Sequence, residues 1–127
     1  MAKPVAPAAQ IFGLVDDQAT RAAQRFFKER RLEIHFVDLR RKPIAPGELR
    51  RFSERLGAAA LLDPDGRAAR AAGLGDLRLT EGELVERLLA DQRLLRVPLV
   101  RYQNELSAGR DETAWKRWLA PPRGTQS

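Results

Sequence analysis

The sequence predicts a single α/β domain, and three observations support this prediction. Short apolar runs alternate with segments of helical periodicity, which is the order found in βαβ units. The length of 127 residues fits one ordinary domain with one core. A hydrophobic fraction of 43% and a charged fraction of 31% are typical of a folded chain.

The front of the chain is predicted to form a strand, a helix and a second strand. The first strand covers about residues 10–14. The helix covers about residues 19–30, because alanine and phenylalanine recur on one face and charged residues on the other. The segment "LEIHFVDL", residues 32–39, alternates apolar and polar side chains, so we expect a strand with one buried face.

The middle of the chain is predicted to be mainly helical. A basic loop with two prolines leads to a helix over residues 48–56, which ends at a glycine. Residues 58–73 are less regular, and we expect an apolar run, a turn over residues 63–66 and a short helix. The next helix is better signalled, since Thr80 and Glu83 have the spacing of a capping box.

The last part of the chain is predicted to form a β-hairpin and a helix. The strands cover residues 99–102 and 105–108. Asp111 is placed to cap the helix, which carries Trp115 and Trp118. The two tryptophans are interpreted as core packing against the hairpin, with an aromatic face for a partner as the alternative.

The absence of cysteine excludes several kinds of site. Without a thiol the chain holds no disulfide, thiolate nucleophile, CxxC redox pair or thiolate-ligated zinc. The single histidine, His35, is interpreted as a strand residue and not as a metal ligand, and "DPDG" lacks the later ligands of a calcium loop. We therefore expect neither a metal nor a cofactor.

The sequence predicts a cytoplasmic protein. No apolar stretch approaches the roughly 18 residues that a transmembrane helix needs. The start, "MAKPVAPAAQ", lacks the apolar region of a secretory signal. We therefore expect no membrane association.

The net charge of +6 and the pI near 10.7 favour an acidic partner. An acidic protein surface is the expected partner, and direct nucleic-acid binding stays open as a less favoured alternative. A solvated, arginine-rich surface without a partner would have the same composition. The candidate docking residues are basic and close in sequence: Arg40, Arg41, Lys42, Arg50 and Arg51.

Two acids, Asp16 and Asp17, stand in the turn between the first strand and the first helix. Such turns are common places for chemistry, because the following helix presents free backbone N–H groups. A carboxylate can be a nucleophile, but no nearby base or metal ligand supports that chemistry. We therefore interpret the two acids as helix caps.

The order of elements resembles the arsenate reductase and Spx family of thioredoxin-like (glutaredoxin-like) proteins. The resemblance covers about residues 10–119 and is carried by "IFG…TRAAQRFFKERRLEIHFVDLRRKPIAPGELRRF", "AALLDPDGRAARAAGL", "LLADQRLLRVPLV" and "LSAGRDETAWKRWL". The last two segments look closest to the Spx-type transcription regulators. The resemblance implies a mixed sheet flanked by helices and a cis proline at Pro98.

The resemblance also implies the organisation of the single domain. Residues 10–45 and 92–119 would form the thioredoxin-like core, and residues 46–91 an inserted helical subdomain. The ends, residues 1–9 and 120–127, are rich in proline, alanine, glycine and polar residues, so we expect them to be flexible.

The family's catalytic residues are mostly replaced in this chain. If the arginine that begins the family's first helix is aligned with Arg21, Asp17 occupies the position of the nucleophilic cysteine. Two further arginines of the redox members correspond to Asp63 and Val97, and Arg96 is one position early. Only Arg21 and Arg110 agree with the pattern. We call the following set the vestigial site: Asp16, Asp17, Arg21, Asp63, Val97, Pro98 and Arg110.

We therefore expect a redox-inactive binding or regulatory module. A carboxylate keeps a negative charge at the cysteine's position, without the nucleophilic sulfur, and would repel an oxyanion. The resemblance to the Spx branch makes RNA polymerase the first partner to test, through the helical subdomain and the basic loop. The alternative is an enzyme or small-ligand binder with altered chemistry at Asp17, Arg21 and Arg110.

Overall fold

A computed structural model describes residues 7–120 and shows a four-stranded mixed sheet with helices on both sides. The central strand β1 (Ala8–Gly13) pairs in parallel with β2 (Glu33–Asp38) and antiparallel with β3 (Leu99–Tyr102). β3 pairs antiparallel with β4 (Glu105–Ala108), which gives the strand order β2-β1-β3-β4. The predicted α/β class and mixed sheet are confirmed.

Most of the helices lie between β2 and β3 in the chain. The helices are α1 (Gln18–Glu29), α2 (Pro46–Leu56), α3 (Ala58–Leu61), α4 (Arg67–Ala71), α5 (Glu81–Ala90) and α6 (Glu112–Leu119). Two short 3-10 turns, Leu74–Asp76 and Gln92–Leu94, connect them. α2 begins two residues before its predicted start because Pro46 suits the first helical turn. The apolar run predicted after Gly57 forms the single-turn helix α3.

β1 is displaced from its predicted range. It begins two residues earlier, because its pairing with β2 already starts at Ala8. It ends at Gly13 because the Leu14 N–H leaves the sheet and donates to the Thr20 hydroxyl. Ala8 and Ala9, which lie in the segment predicted to be flexible, are the first two residues of β1. The other residues predicted to be flexible fall outside the described range, except Pro7 and Ala120.

The two faces of the sheet are covered by separate hydrophobic clusters. On one face, Phe12 and Leu99 pack with the helices α2 to α5 through buried residues such as Phe52. On the other face, Ile11 and Val100 pack with α1 and α6. Because neighbouring strand residues point to opposite faces, adjacent positions in β1 and β3 supply different clusters.

Candidate functional site at the first strand-to-helix turn

Asp17 caps α1, as the sequence predicted. Its backbone is extended, with φ −87° and ψ 131°. Its Oδ2 accepts the Thr20 N–H at 2.8 Å and the Thr20 hydroxyl at 2.9 Å. This carboxylate oxygen therefore satisfies one of the free backbone donors of the helix and fixes a side chain of the first turn.

Thr20 joins the cap to the sheet, a role that sequence reasoning missed. Its side chain is fully buried, and its Oγ1 accepts the Leu14 N–H at 3.3 Å. A Cβ added at Gly13 would lie 2.4 Å from that oxygen, so the strand end and the helix approach closely only because residue 13 is glycine. The signal in the sequence was a glycine at the end of an apolar strand, followed by a threonine in the first helical turn.

Asp16 is not a helix cap, so that part of our interpretation is wrong. Its Oδ1 accepts a hydrogen bond from Arg40 Nη1 at 2.9 Å, and both side chains are exposed. The guanidinium beside it lowers the pKa of the Asp16 carboxyl below its ordinary value. Asp16 therefore connects the turn to the basic loop after β2.

The two arginines that agree with the family pattern have other partners. Arg21 Nε donates to the carbonyl of Val15 at 3.0 Å. Arg110 Nε donates to Glu112 Oε2 at 2.6 Å, and this contact lowers the pKa of the Glu112 carboxyl. Within residues 7–120, neither arginine makes a hydrogen bond or ion pair with Asp17.

The cis proline lies beside the end of β1. The Val97–Pro98 peptide bond is cis, as the resemblance implied, and Pro98 is fully buried. Its carbonyl accepts the Gly109 N–H at 2.9 Å. The register opposes Leu99 to Phe12, so the residues after β1 and the cis proline share one end of the sheet.

Asp63 is held near the segment before the cis proline. Its N–H donates to the carbonyl of Leu94 at 2.9 Å, and Arg96 N–H donates to the carbonyl of Leu61 at 2.7 Å. The predicted turn after Asp63 is present, closed by a hydrogen bond from Gly66 N–H to the carbonyl of Asp63. The backbone thus brings residue 63 and the cis-proline segment together.

The basic candidate docking residues do not line one continuous groove. Arg41 and Lys42 line a groove of about 470 Å³ with Val15. Arg51 lines a different groove of about 480 Å³, between α2 and the hairpin, together with Arg55. The two grooves share no lining residue, so the candidate docking residues divide between two surfaces.

The core interpretation of Trp115 is confirmed. Trp115 is fully buried against Phe26 and Phe27, and its Nε1 donates to Ser107 Oγ at 2.9 Å. Trp118 is half-buried beside the same cluster. Trp115 therefore offers no aromatic surface to a partner.

The described residues contain no cluster of three or more His, Cys, Asp or Glu side chains that could hold a metal ion. His35 is exposed on β2, and its Nε2 lies 2.6 Å from Glu33 Oε2. Among residues 7–120, no helix is long and apolar enough to cross a membrane.

At the first strand-to-helix turn, the hydrogen bonds of Asp17 and Thr20 hold the end of β1 to the start of α1.

Comparison with known proteins identifies the fold and the family. A YffB protein is 20% identical, with a TM-score of 0.81, over 89% of this chain and all of that chain. An arsenate reductase from Vibrio cholerae is 17% identical, with a TM-score of 0.77, over 88% of this chain and 98% of that one. An arsenate reductase (ArsC) related protein from Brucella melitensis is 16% identical, with a TM-score of 0.67, over 94% of this chain and all of that one.

Because these identities are low, the structural likeness shows the fold alone. It is the thioredoxin-like fold that the resemblance implied. No curated protein sequence matches the chain. The sequence model of the ArsC family, however, matches residues 16–118, which is most of the chain. With this match and the shared fold, the chain belongs to the ArsC family.

Proposed function

We propose that this chain is a redox-inactive member of the ArsC family that acts as a binding or regulatory module. The observation that carries the proposal is the absence of cysteine from the whole chain. The resemblance puts Asp17 at the position of the family's cysteine. Arsenate and disulfide reduction in this family require a thiolate, and a carboxylate cannot replace it. The two hydrogen bonds that Asp17 Oδ2 accepts from Thr20 favour a structural role for this residue.

Altered chemistry at the same turn is the less favoured alternative. It would use Asp17, Arg21 and Arg110 together on one ligand. In the structure Arg21 is bonded to a backbone carbonyl and Arg110 to Glu112. Each arginine would have to leave its present partner before it could serve a ligand at Asp17.

The proposed partner is a protein with an acidic surface. The net charge of +6 would steer such a partner towards the chain, and salt would screen the attraction over about 10 Å at 0.1 M. The resemblance to the Spx branch makes RNA polymerase the first candidate, with residues 46–91 and the basic loop as the proposed contact region. RNA polymerase is named from the resemblance to the Spx branch and not from the fold, since one fold can serve many functions.

An activity assay tests the loss of redox chemistry. The purified chain should show no arsenate reduction in a thiol-coupled assay, and Asp17→Cys alone should not restore it. Asp63 and Val97 leave the oxyanion without two expected arginines, and Arg110 is paired with Glu112. Substantial turnover by the parent chain or by the single mutant would contradict the proposal.

A binding experiment tests the partner. Purified RNA polymerase and a lysate of the native host would be passed over the immobilised chain at low and high salt. We expect salt-sensitive retention of an acidic protein, and loss of retention when Arg40, Arg41 and Lys42 are all replaced by glutamate. Because the triple variant also breaks the pair of Arg40 with Asp16, a variant with only Arg41 and Lys42 replaced is the matched control. Failure to retain any protein at low salt would contradict the binding role.

A further inference from the structure

The groove beside β2 combines apolar and basic side chains on an exposed surface. We call it the β2 groove, and its lining residues are Val15, Phe36, Val37, Asp38, Arg41 and Lys42. Val15 is 52% exposed, and Leu77, at 45%, is the only other strongly exposed large hydrophobic side chain among residues 7–120. Together with Phe36 and Val37, Val15 gives the groove a contiguous apolar lining beside charged residues, which is a feature of protein interaction sites.

The outer side of β2 is a free strand edge. β2 pairs with β1 along its whole length, from Glu33 to Asp38, and no strand within residues 7–120 pairs with its other side. The opposite edge strand, β4, is likewise paired on one side only, and each edge strand contacts one helix, α1 at β2 and α2 at β4. β2 differs from β4 in the groove of apolar and basic side chains beside it. A free edge presents backbone N–H and C=O groups to which an extended peptide can add as a further strand.

The positive charge next to this edge favours an acidic binding partner. Arg41 and Lys42 are exposed and make no ion pair with any residue that the structure describes, whereas Arg40 is paired with Asp16. Asp38 Oδ1 accepts the Arg40 backbone N–H in the turn after β2. Two unpaired cations therefore stand at the end of the free edge, against one carboxylate that is already engaged.

We infer that an extended acidic segment of a partner protein adds to the free edge of β2. One apolar side chain of the segment would occupy the recess beside Val15, and its carboxylates would contact Arg41 and Lys42. This inference rests on the proposed binding function and assigns that function a surface and a ligand chemistry. A second copy of the chain is a poorer occupant, because pairing two β2 edges would bring like charges of two +6 molecules together. A nucleic acid would use the cations but neither the strand edge nor the apolar recess.

Selection of peptides from a random 12-residue display library against the full chain tests the inference. We expect enriched peptides to share acidic residues next to an apolar residue. The enriched peptide would then be synthesised, and its affinity measured by fluorescence anisotropy. Val15→Ser and the double variant Arg41→Glu with Lys42→Glu should each weaken binding at least tenfold. The matched control, Arg25→Glu with Lys28→Glu, makes the same charge change on exposed residues of α1, outside the proposed contact region, and should bind like the parent, apart from a small general effect of net charge.

Hydrogen exchange of the backbone amides locates the bound peptide. Strand addition should slow exchange in residues 33–38, and a peptide with alternate N-methylated residues should lose most of its affinity. The inference is overturned if no acidic peptide is enriched, if the peptide protects the groove of Arg51 and Arg55 instead, or if Val15→Ser binds normally. It is also overturned if DNA or a second copy of the chain binds the β2 edge in place of acidic peptides.

The two proposals can fail separately. If a partner from the lysate is retained equally by the parent and by the β2-groove variants, the β2 surface is wrong and the binding function stands. If neither the lysate nor the library yields a ligand, both proposals are wrong. Thermal melts of each variant would verify that these exposed substitutions leave the fold intact.

Discussion

The starts of α1 and α5 use similar local capping and differ in what surrounds it. At α1, Asp17 accepts the Thr20 N–H, and the buried Thr20 hydroxyl is in turn bonded to Leu14 at the end of β1. At α5, Thr80 and Glu83 exchange hydrogen bonds in a capping box, and both residues are exposed. The first cap is part of the sheet–helix junction, and the second stabilises only its own helix.

The sequence signal of a helix cap therefore does not reveal how much the cap contributes to the stability of the fold. Both caps could be predicted from spacing, because the interaction is confined to one turn of helix. The burial of Thr20 depends on the packing of α1 against β1, which the spacing does not contain. Disturbing the α1 junction should therefore cost more stability than disturbing the α5 cap.

The largest loss of stability is expected from Gly13→Ala. The new Cβ would lie 2.4 Å from Thr20 Oγ1 and 2.7 Å from its Cγ2, so strand and helix must separate. Overpacking of this kind costs about 2–3 kcal/mol of unfolding free energy, measurable by urea denaturation. Gly82→Ala in the first turn of α5 is the control. Its Cβ meets nothing within 4 Å, so it should be neutral or slightly stabilising. Equal stability of the two variants would contradict the expectation that the α1 junction contributes more to stability than the α5 cap.

The second-largest loss of stability is expected from Thr20→Val, which keeps the shape of the side chain and removes its hydroxyl. The Leu14 N–H and Asp17 Oδ2 would each lose a partner at a part-buried position. We expect a loss of about 1–2 kcal/mol in unfolding free energy, because unsatisfied buried groups are costly. Thr20→Ser retains the hydroxyl and should recover part of that loss. If valine and serine were equally stable, the hydroxyl would have no part in the junction.

The elements that could be predicted from the sequence are those with local signals. The hairpin strands 99–102 and 105–108, the capping box of α5 and the cap Asp111 of α6 match their predicted positions. Each depends on residues a few positions apart. The ends of β1 were missed because they depend on pairing with β2 and on the hydrogen bond from Leu14 to Thr20.

The site was predicted less completely than the fold, for the same reason. Residues adjacent in sequence acquired different roles: Asp17 caps the helix, while Asp16 pairs with Arg40, which lies 24 residues away. Likewise, Arg41 and Arg51 face different grooves, although a charge count treats them as one patch. Long-range partners of exposed charged side chains have no periodic signature, so sequence patterns cannot assign them.

Removal of the caps themselves should have the third-largest effect. Asp17→Ala should cost about 1–2 kcal/mol, or several degrees in melting temperature, because both bonds to Thr20 are lost. Asp17→Asn should be nearly neutral, since asparagine caps about as well. Thr80→Ala at α5 should cost only about 0.5–1 kcal/mol, because the exposed N–H groups it frees can bond to water. An alanine variant at position 17 as stable as the parent would count against the cap and favour a functional aspartate.

The smallest effect concerns the pH dependence of the α5 cap. The backbone N–H and the side chain of Thr80 lower the pKa of the Glu83 carboxyl below its ordinary value of 4.5. A pKa that is lower in the folded chain means that the stabilisation is present above about pH 4.5 and is lost as the pH falls through the folded value. Glu83→Gln can still accept the Thr80 N–H but does not titrate. The parent should therefore be slightly more stable than the glutamine variant at pH 7, and the difference should shrink as the pH falls below about 4.5. Thermal melts of both proteins across this range measure the difference, and a gap that stayed constant or widened in acid would show that the ionised carboxylate does not strengthen the cap.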